Sequence, residues 1–533
     1  MDGSAGTVPG FFSRERTVAS HGFNRWLVPP CALAIHLCIG MIYGMGVFWL
    51  PLTKLIGGDH SAACPAGTIH LTATRCDWIV GDVSFVFTLG IVFLGAAAAI
   101  WGGWLERAGP RRAGLTAAIC WPGGLAVAAL GIYLHQLWLI WLGGGVIGGI
   151  GLGLGYISPV STLIKWFPDR RGMATGMAIM GFGGGAMIGS PLAAWLMAHF
   201  HTPTDPGVWQ TFLVLAGIYF VFMAAGAFGY RVPPEGYRPA HVAHAQGPRP
   251  GVQRSVSLED AWQRPQFWLL WGVLCLNVSA GIGVLDMASP MLQEIFGGAL
   301  IGQPGLGYTA LTVAQLKSIA LIAAGFTGFL SLFNILGRFF WASASDRLGR
   351  RNTYTTFFLL GIVLYALVPS FAHMGSKPLF ALTLGIILSM YGGGFATIPA
   401  YLADVFGTGF VGAIHGRLLT AWSAAGVIGP ILVTTLRQTQ LDAGVARAQV
   451  YDHTMYILAL LLAGGLVCNL LIRPVPERWF TKTEAPQAAV PLSTASTAAS
   501  PIGVPLILAW AAVGIPLAWG FYMTILKAAA LFT

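Results

Sequence analysis

Five polar residues, Thr327, Ser331, Asn334, Arg338 and Ser345, interrupt an otherwise apolar stretch at spacings of 4, 3, 4 and 7. At about 100° per residue they lie within roughly 60° of one another, as a single helical stripe. The stretch closes in "NILGRFFWASASDRLGRR" (334–351), where Asp346, Arg347, Arg350 and Arg351 mark a return to water. Arg338 precedes Asp346 by eight residues, about 12 Å of helix rise. Half of a bilayer's hydrocarbon core is about 15 Å, so in a membrane this cation starts near the midplane. Placing it there costs about 2.5–3.5 kcal/mol, which something must offset. A guanidinium keeps its charge and donates two parallel hydrogen bonds, the geometry that fits a carboxylate. The competing reading is a side chain that snorkels to the surface or pairs with a local acid.

No acid lies near that depth. Asp82, Asp286 and Asp404 fall near the ends of apolar runs, and Glu106 and Asp346 belong to loops. This favours a mobile anion as the partner of Arg338. Asp286 is the remaining candidate for a gate or proton site, against a plain interface role. Tyr43, on one face with His36 and Gly40, Tyr156 ahead of Pro159, Tyr391 in "YGGGF" and Trp422 in "LLTAWSAAG" are further candidates to face the same cavity. Aromatic rings can enclose a small planar anion while hydroxyl and indole groups donate to it. Helix packing alone is the alternative for each, and the preferred one for His36.

These residues need membrane helices to position them. The chain has 533 residues, 56% hydrophobic and 9% charged, against about 25% charged in soluble proteins. Twelve apolar spans are expected near 26–50, 82–105, 113–134, 137–163, 173–198, 209–230, 266–290, 318–345, 354–372, 378–403, 415–436 and 453–473, with a further one near 502–527. Of the 29 Lys and Arg, 21 fall in the amino-terminal tail, the even-numbered loops and the segment after span 12, and six at the odd-numbered loops. This is the positive-inside bias of a multi-pass cell (inner) membrane protein with a cytoplasmic amino terminus. The net charge of +10 thus reflects topology rather than a nucleic-acid partner.

"GGGVIG" (143–148) has the dinucleotide-binding glycine pattern but sits inside an apolar span with no preceding strand, so helix packing is expected. Metalloprotease, nucleophile-elbow and P-loop motifs are missing. An enzyme, a cofactor and an obligate protein partner are therefore not expected. Cys64 and Cys76 share the first outer loop with His60 and His70. A disulfide there is open, and the spacing fits no standard zinc pattern, so no metal is expected. The other five cysteines lie in spans and read as packing residues.

The chain repeats itself. "GGWLERAGPRR" (102–112) and "ASASDRLGRR" (342–351) put Glu106 and Asp346, Arg107 and Arg347, and Gly109 and Gly349 at one offset of 240 residues. Pro159 and Pro399 share that offset, and Pro191 and Pro430 come within one of it. The expectation is an all-α membrane protein of two six-helix halves in one orientation, with a site between them. Its parts are a tail (1–25), a first half (26–230), a Pro- and Gly-rich cytoplasmic linker (231–265) and a second half (266–474). A low-complexity linker (475–501) and an extra helix (502–527) follow, the latter putting the carboxyl terminus outside if it spans.

With Gly102, Glu106, Arg107, Gly109 and Arg111 after span 2 and a degenerate copy after span 8, residues 26–474 resemble the major facilitator superfamily. The resemblance implies that fold, and a cytoplasmic latch at Glu106, Arg107, Asp346 and Arg347. "KWFPDRRGMATGMAIMGFGGGA" (165–186), "NILGRFFWASASDRLGRR" and "YGGGFATIPAYLADVFG" (391–407) resemble the oxalate/formate antiporter group in particular. That likeness implies that Arg338 binds a substrate carboxylate. Group members with oxalate specificity also use a lysine in span 11, where this chain has Trp422. The expected function is secondary transport of small carboxylates by anion exchange. A proton-coupled monocarboxylate symporter using Asp286 and a transporter-derived membrane sensor are the alternatives.

Overall fold

The structure, a computed structural model, describes residues 15–20, 22–57, 63–64, 71–72, 75–167, 171–234, 237, 253–407, 411–483 and 503–532. Thirteen helices in it are long and apolar enough to cross a membrane. They form because a bilayer core offers no water to exposed backbone groups, so each apolar run must satisfy its own N–H and C=O groups. In chain order they are α1 (Arg25–Leu52), α2 (Val80–Ala108), α3 (Pro110–Tyr133), α4 (Leu137–Val160), α5 (Arg171–Phe200) and α6 (Val208–Gly229). Then come α7 (Pro265–Phe296), α8 (Val313–Leu348), α9 (Arg350–His373), α10 (Lys377–Phe406), α11 (Thr420–Asp442), α12 (Asp452–Leu471) and α13 (Val504–Ala528). The face at which α1 begins is called proximal below, and the opposite face distal.

α1 is irregular for a reason written in its glycines. It runs as an α-helix over Val28–Ile39 and tightens to a 3-10 helix over Gly40–Phe48, a length at which hydrogen-bond geometry normally fails. Close approach on two sides holds it. A Cβ at Gly40 would strike the backbone of Phe182 in α5, and one at Gly46 the backbone of Asp286 in α7. α1 therefore touches both the first six helices and the second six.

The repeat is visible in the loops. Gly109 (φ 85°) and Gly349 (φ 80°) both take the positive φ that favours glycine. Two residues on, Arg111 donates to the carbonyl of Phe228 at 3.4 Å, and Arg351 to that of Leu470 at 2.6 Å. Each arginine thus caps the last turn of the helix that ends its own set of six. The "GGGVIG" glycines lie where α4 meets α2 and α3: a Cβ at Gly144 would come 2.9 Å from Val86, and one at Gly143 2.9 Å from Val127. They serve packing, as expected. Cys64 and Cys76 form a disulfide, with Sγ atoms 1.97 Å apart. His60 and His70 lie outside the described residues.

One departure concerns the expected linkers. Gln253–Val256 and Phe480–Thr483 pair as a two-stranded antiparallel ribbon, and Ser257 caps a short helix over Leu258–Trp262. Strands of four residues carry too few alternations to read as periodicity. The ribbon joins the central linker to the segment after α12 on the proximal face.

Candidate functional site

Arg338 is 4% exposed. Its Nε donates to Oδ1 of Asn334, one turn earlier on α8, at 3.1 Å. The guanidinium carbon lies 5.6 Å from the ring centre of Phe395 on α10. On the α5 side Gly183 makes the room, because a Cβ there would sit 3.1 Å from Nε and 3.3 Å from the Asn334 oxygen. Among the described residues no carboxylate forms an ion pair with Arg338; those within 4.0 Å of a basic group serve other side chains. Snorkelling is excluded in this state by the burial. The rest of the stripe divides. Ser331 donates across to the carbonyl of Gly183. Thr327 bonds back to Ala323 at 3.1 Å, while Ser345 bonds back to Ala342 at 2.7 Å and accepts from Arg350 of α9, so the two ends of the stripe are already occupied.

The four aromatic candidates meet around this arginine. Tyr43 and Tyr391 share a hydrogen bond of 2.7 Å between hydroxyls, one from α1 and one from α10. Tyr156 and Trp422 face each other with ring centres 5.3 Å apart. Phe182 on α5 sits among them, 5.0 Å from Tyr43, 5.5 Å from Tyr156 and 5.5 Å from Trp422. Phe395 closes the ring, 5.4 Å from Tyr391 and 4.7 Å from Trp422. The box therefore draws three rings from the first six helices and three from the second. Two buried donors in it, Trp422 Nε1 and Asn334 Nδ2, have no hydrogen-bond partner among the described residues. His36 stacks on Tyr156 and bonds its carbonyl at 3.1 Å, the packing role expected.

Phe182, Gly183 and Phe395 were not among the sequence candidates. The repeat could have found the first, since Phe182 precedes Trp422 by 240 residues and faces it in space. Nothing in the pattern singles out Phe395 beyond its place in "YGGGF".

Asp286 lies toward the distal end of α7 and is 1% exposed. Trp49 of α1 donates its indole N–H to both the Asp286 carboxylate (2.9 Å) and its backbone carbonyl (3.0 Å). The second carboxylate oxygen has no partner among the described residues. Of the latch residues, Asp346 pairs with Arg350 rather than Arg347, and Arg350 also approaches Asp404 at 3.9 Å. Those contacts stay within α8, α9 and α10. Arg347 is exposed, and the side chains of Glu106 and Arg107 lie outside the described residues.

A second buried arginine escaped the sequence reading. Arg437 is one of the six cations that the sequence assigns to the odd-numbered loops, yet it is 3% exposed. It donates Nε to Glu294 at 2.8 Å and a second N–H to the other carboxylate oxygen. Arg447 (2.5 Å) and the Tyr451 hydroxyl (2.6 Å) complete the shell of Glu294. The cluster ties α7, α11 and α12 together near the distal face.

Residues 59–430 match the Major Facilitator Superfamily. The chain is 26% identical over 289 residues to the oxalate:formate antiporter of Oxalobacter formigenes, covering 53% of this chain and 59% of that one. It is 25% identical to apicoplast pyruvate carrier 1 of Toxoplasma gondii, over 66% of this chain and 69% of that protein. Among solved structures, a bacterial homologue of the human lysosomal transporter Spinster, in an inward-facing and unoccupied conformation, superposes with a TM-score of 0.59. That match has 14% identity, over 86% of this chain and 98% of the other.

Proposed function

The chain belongs to the Major Facilitator Superfamily and is a multi-pass membrane protein, and from that premise we propose that it is a secondary transporter of small carboxylate anions. Its two halves (26–230 and 266–474) rock about the aromatic box and carry an anion of the oxalate or formate kind in exchange for another. The observation that carries this reading is Arg338: a buried cation, enclosed by rings from both halves, with no carboxylate of the described residues to pair with. A substrate carboxylate supplies the missing charge and takes the guanidinium's parallel donors. Trp422 and Asn334 offer further hydrogen bonds in the same box. The antiporter and pyruvate-carrier relatives, both named for small carboxylates, support the substrate class.

The proximal face is the cytoplasmic one by its excess of basic residues. The Trp49–Asp286 contact joins the halves on the distal side, which supports reading it as an outer gate. A second reading, proton-linked monocarboxylate symport, is favoured by one observation: Asp286 is buried at that gate with one oxygen uncommitted, a place where a proton can be held. Counterflow of labelled oxalate and formate in liposomes separates the two. Uptake driven by internal anion alone is expected; a strict requirement for a pH gradient would replace exchange with symport.

A further inference from the structure

α13 lies outside the twelve-helix repeat, yet it crosses the seam between the halves. Along its proximal part it holds the first half. Trp510 donates to the carbonyl of Trp26 at 3.2 Å, and Val513 packs with Leu33 and Ala34, with Leu37 and Met180 alongside. Along its distal part it meets both halves. On the α5 side Thr524 donates to the carbonyl of Met187 at 3.3 Å, and Gly520 lies against Ile188. On the α8 side a Cβ placed on Gly328 would lie 3.4 Å from the Thr524 Cβ, Gly325 faces Lys527, and Phe329 lies 5.9 Å from Phe532. Lys527 thus sets its Cβ against α8 at Gly325.

The two sets of contacts differ in kind. Those with α1 and α5 include hydrogen bonds at two depths. Those with α8 are glycine and ring contacts, with no hydrogen bond among the described residues. Small-residue surfaces let helices approach closely and slide. Outward opening must part α5 from α8 on the distal side, and α13 lies across both at Met187–Ile188 and Gly325–Gly328. We propose that α13 is a strap that travels with the first half and, in this state, overlies α8, so that opening the distal side requires it to slide off Gly325 and Gly328. The inference rests on the rocking of the halves and not on the identity of the cargo.

Two tethers and one wedge test it in the full-length protein. The pair Gly328→Cys with Thr524→Cys joins α13 to α8, and the pair Gly520→Cys with Ile188→Cys joins it to α5. The α8 tether should cut anion exchange about tenfold or more and release it on reduction, whereas the α5 tether should leave it within about twofold, as expected if two-state motion needs only the α8 contact to break. The reduced forms show that each variant folds. Separately, Gly328→Leu fills the seat of Thr524 and should raise the long-distance fraction between spin labels at His199→Cys and Ser318→Cys. That measurement needs no substrate, so it stands even if oxalate and formate are not the cargo. Equal arrest by both tethers, free exchange under the α8 tether, or an unchanged distance distribution in Gly328→Leu overturns the strap.

Discussion

Arg338 and Arg437 are almost equally buried, at 4% and 3% exposure, and they stand in opposite electrostatic circumstances. Arg437 has a carboxylate held by two further donors, Arg447 and Tyr451, and belongs wholly to the second half. Arg338 has one amide oxygen and an aromatic enclosure drawn from both halves. A buried ion pair costs desolvation that its partner offsets, and breaking it leaves an isolated charge. The paired arginine is therefore a fastening, and the unpaired one is a vacancy for charge. The lesson is that burial alone does not separate a fastening from a proposed binding cation, whereas the census of acids around each does.

The comparison breaks most sharply by mutation of the two arginines. Arg338→Gln should reduce carboxylate exchange by about 100-fold or more, the scale of losing a buried charge-assisted contact of about 2–5 kcal/mol. Its melting temperature in detergent should hold or rise, because an unpaired buried charge is removed. Full transport with unchanged affinity would remove Arg338 from the site. Arg437→Gln or Glu294→Gln should do the reverse, destabilising the fold by about 3–5 kcal/mol while exchange per folded molecule survives. Thermal melts alongside transport normalised to folded protein check both halves of that statement.

A finer test adds charge instead of removing it. Trp422→Lys puts a second cation beside Arg338 and should shift preference from formate toward oxalate, read as the ratio of their competition constants. Tyr43→Phe deletes the 2.7 Å hydroxyl bond across the halves and should change affinity by about threefold to tenfold, matching a net hydrogen bond of about 1 kcal/mol. The smallest effect concerns a buried base. His135, stacked on Trp78 beside the disulfide loop, is held below the usual histidine range by burial, against the pull of the Cys76 carbonyl and Asp77. Its neutral form thus stabilises the fold in full above the unfolded value of about 6.5, and that share fades as pH falls through it. Melting temperatures between pH 8 and pH 5 should show the loss, and His135→Phe should flatten it.

The fold was legible because lipid makes helices obligatory and charge bias marks the loops. Every expected span became a helix, although α7 runs on to Phe296 because Gln293 and Glu294 are polar residues that the protein interior satisfies. The site was legible where one helix supplied a periodic face, as for Asn334 and Arg338, and where an aromatic residue stood beside a break, as for Tyr156 and Tyr391. Phe182 and Gly183 were not, because their roles come from which helix faces which. Arg437 was misplaced for the same reason: 143 residues separate it from Glu294, and a polar residue near a span end looks solvated until its partner arrives.

The hydrogen bond between Trp510 and Trp26 joins residues 484 positions apart. During synthesis at roughly 5–20 residues per second, the first helix waits about half a minute to a minute and a half for the one that covers it. Through that interval the part of α1 that Trp510 and Val513 later cover is open to lipid. α13 must then displace lipid to dock. Because it follows the other twelve spans in the chain, its contacts should be open to change without disturbing how those twelve assemble.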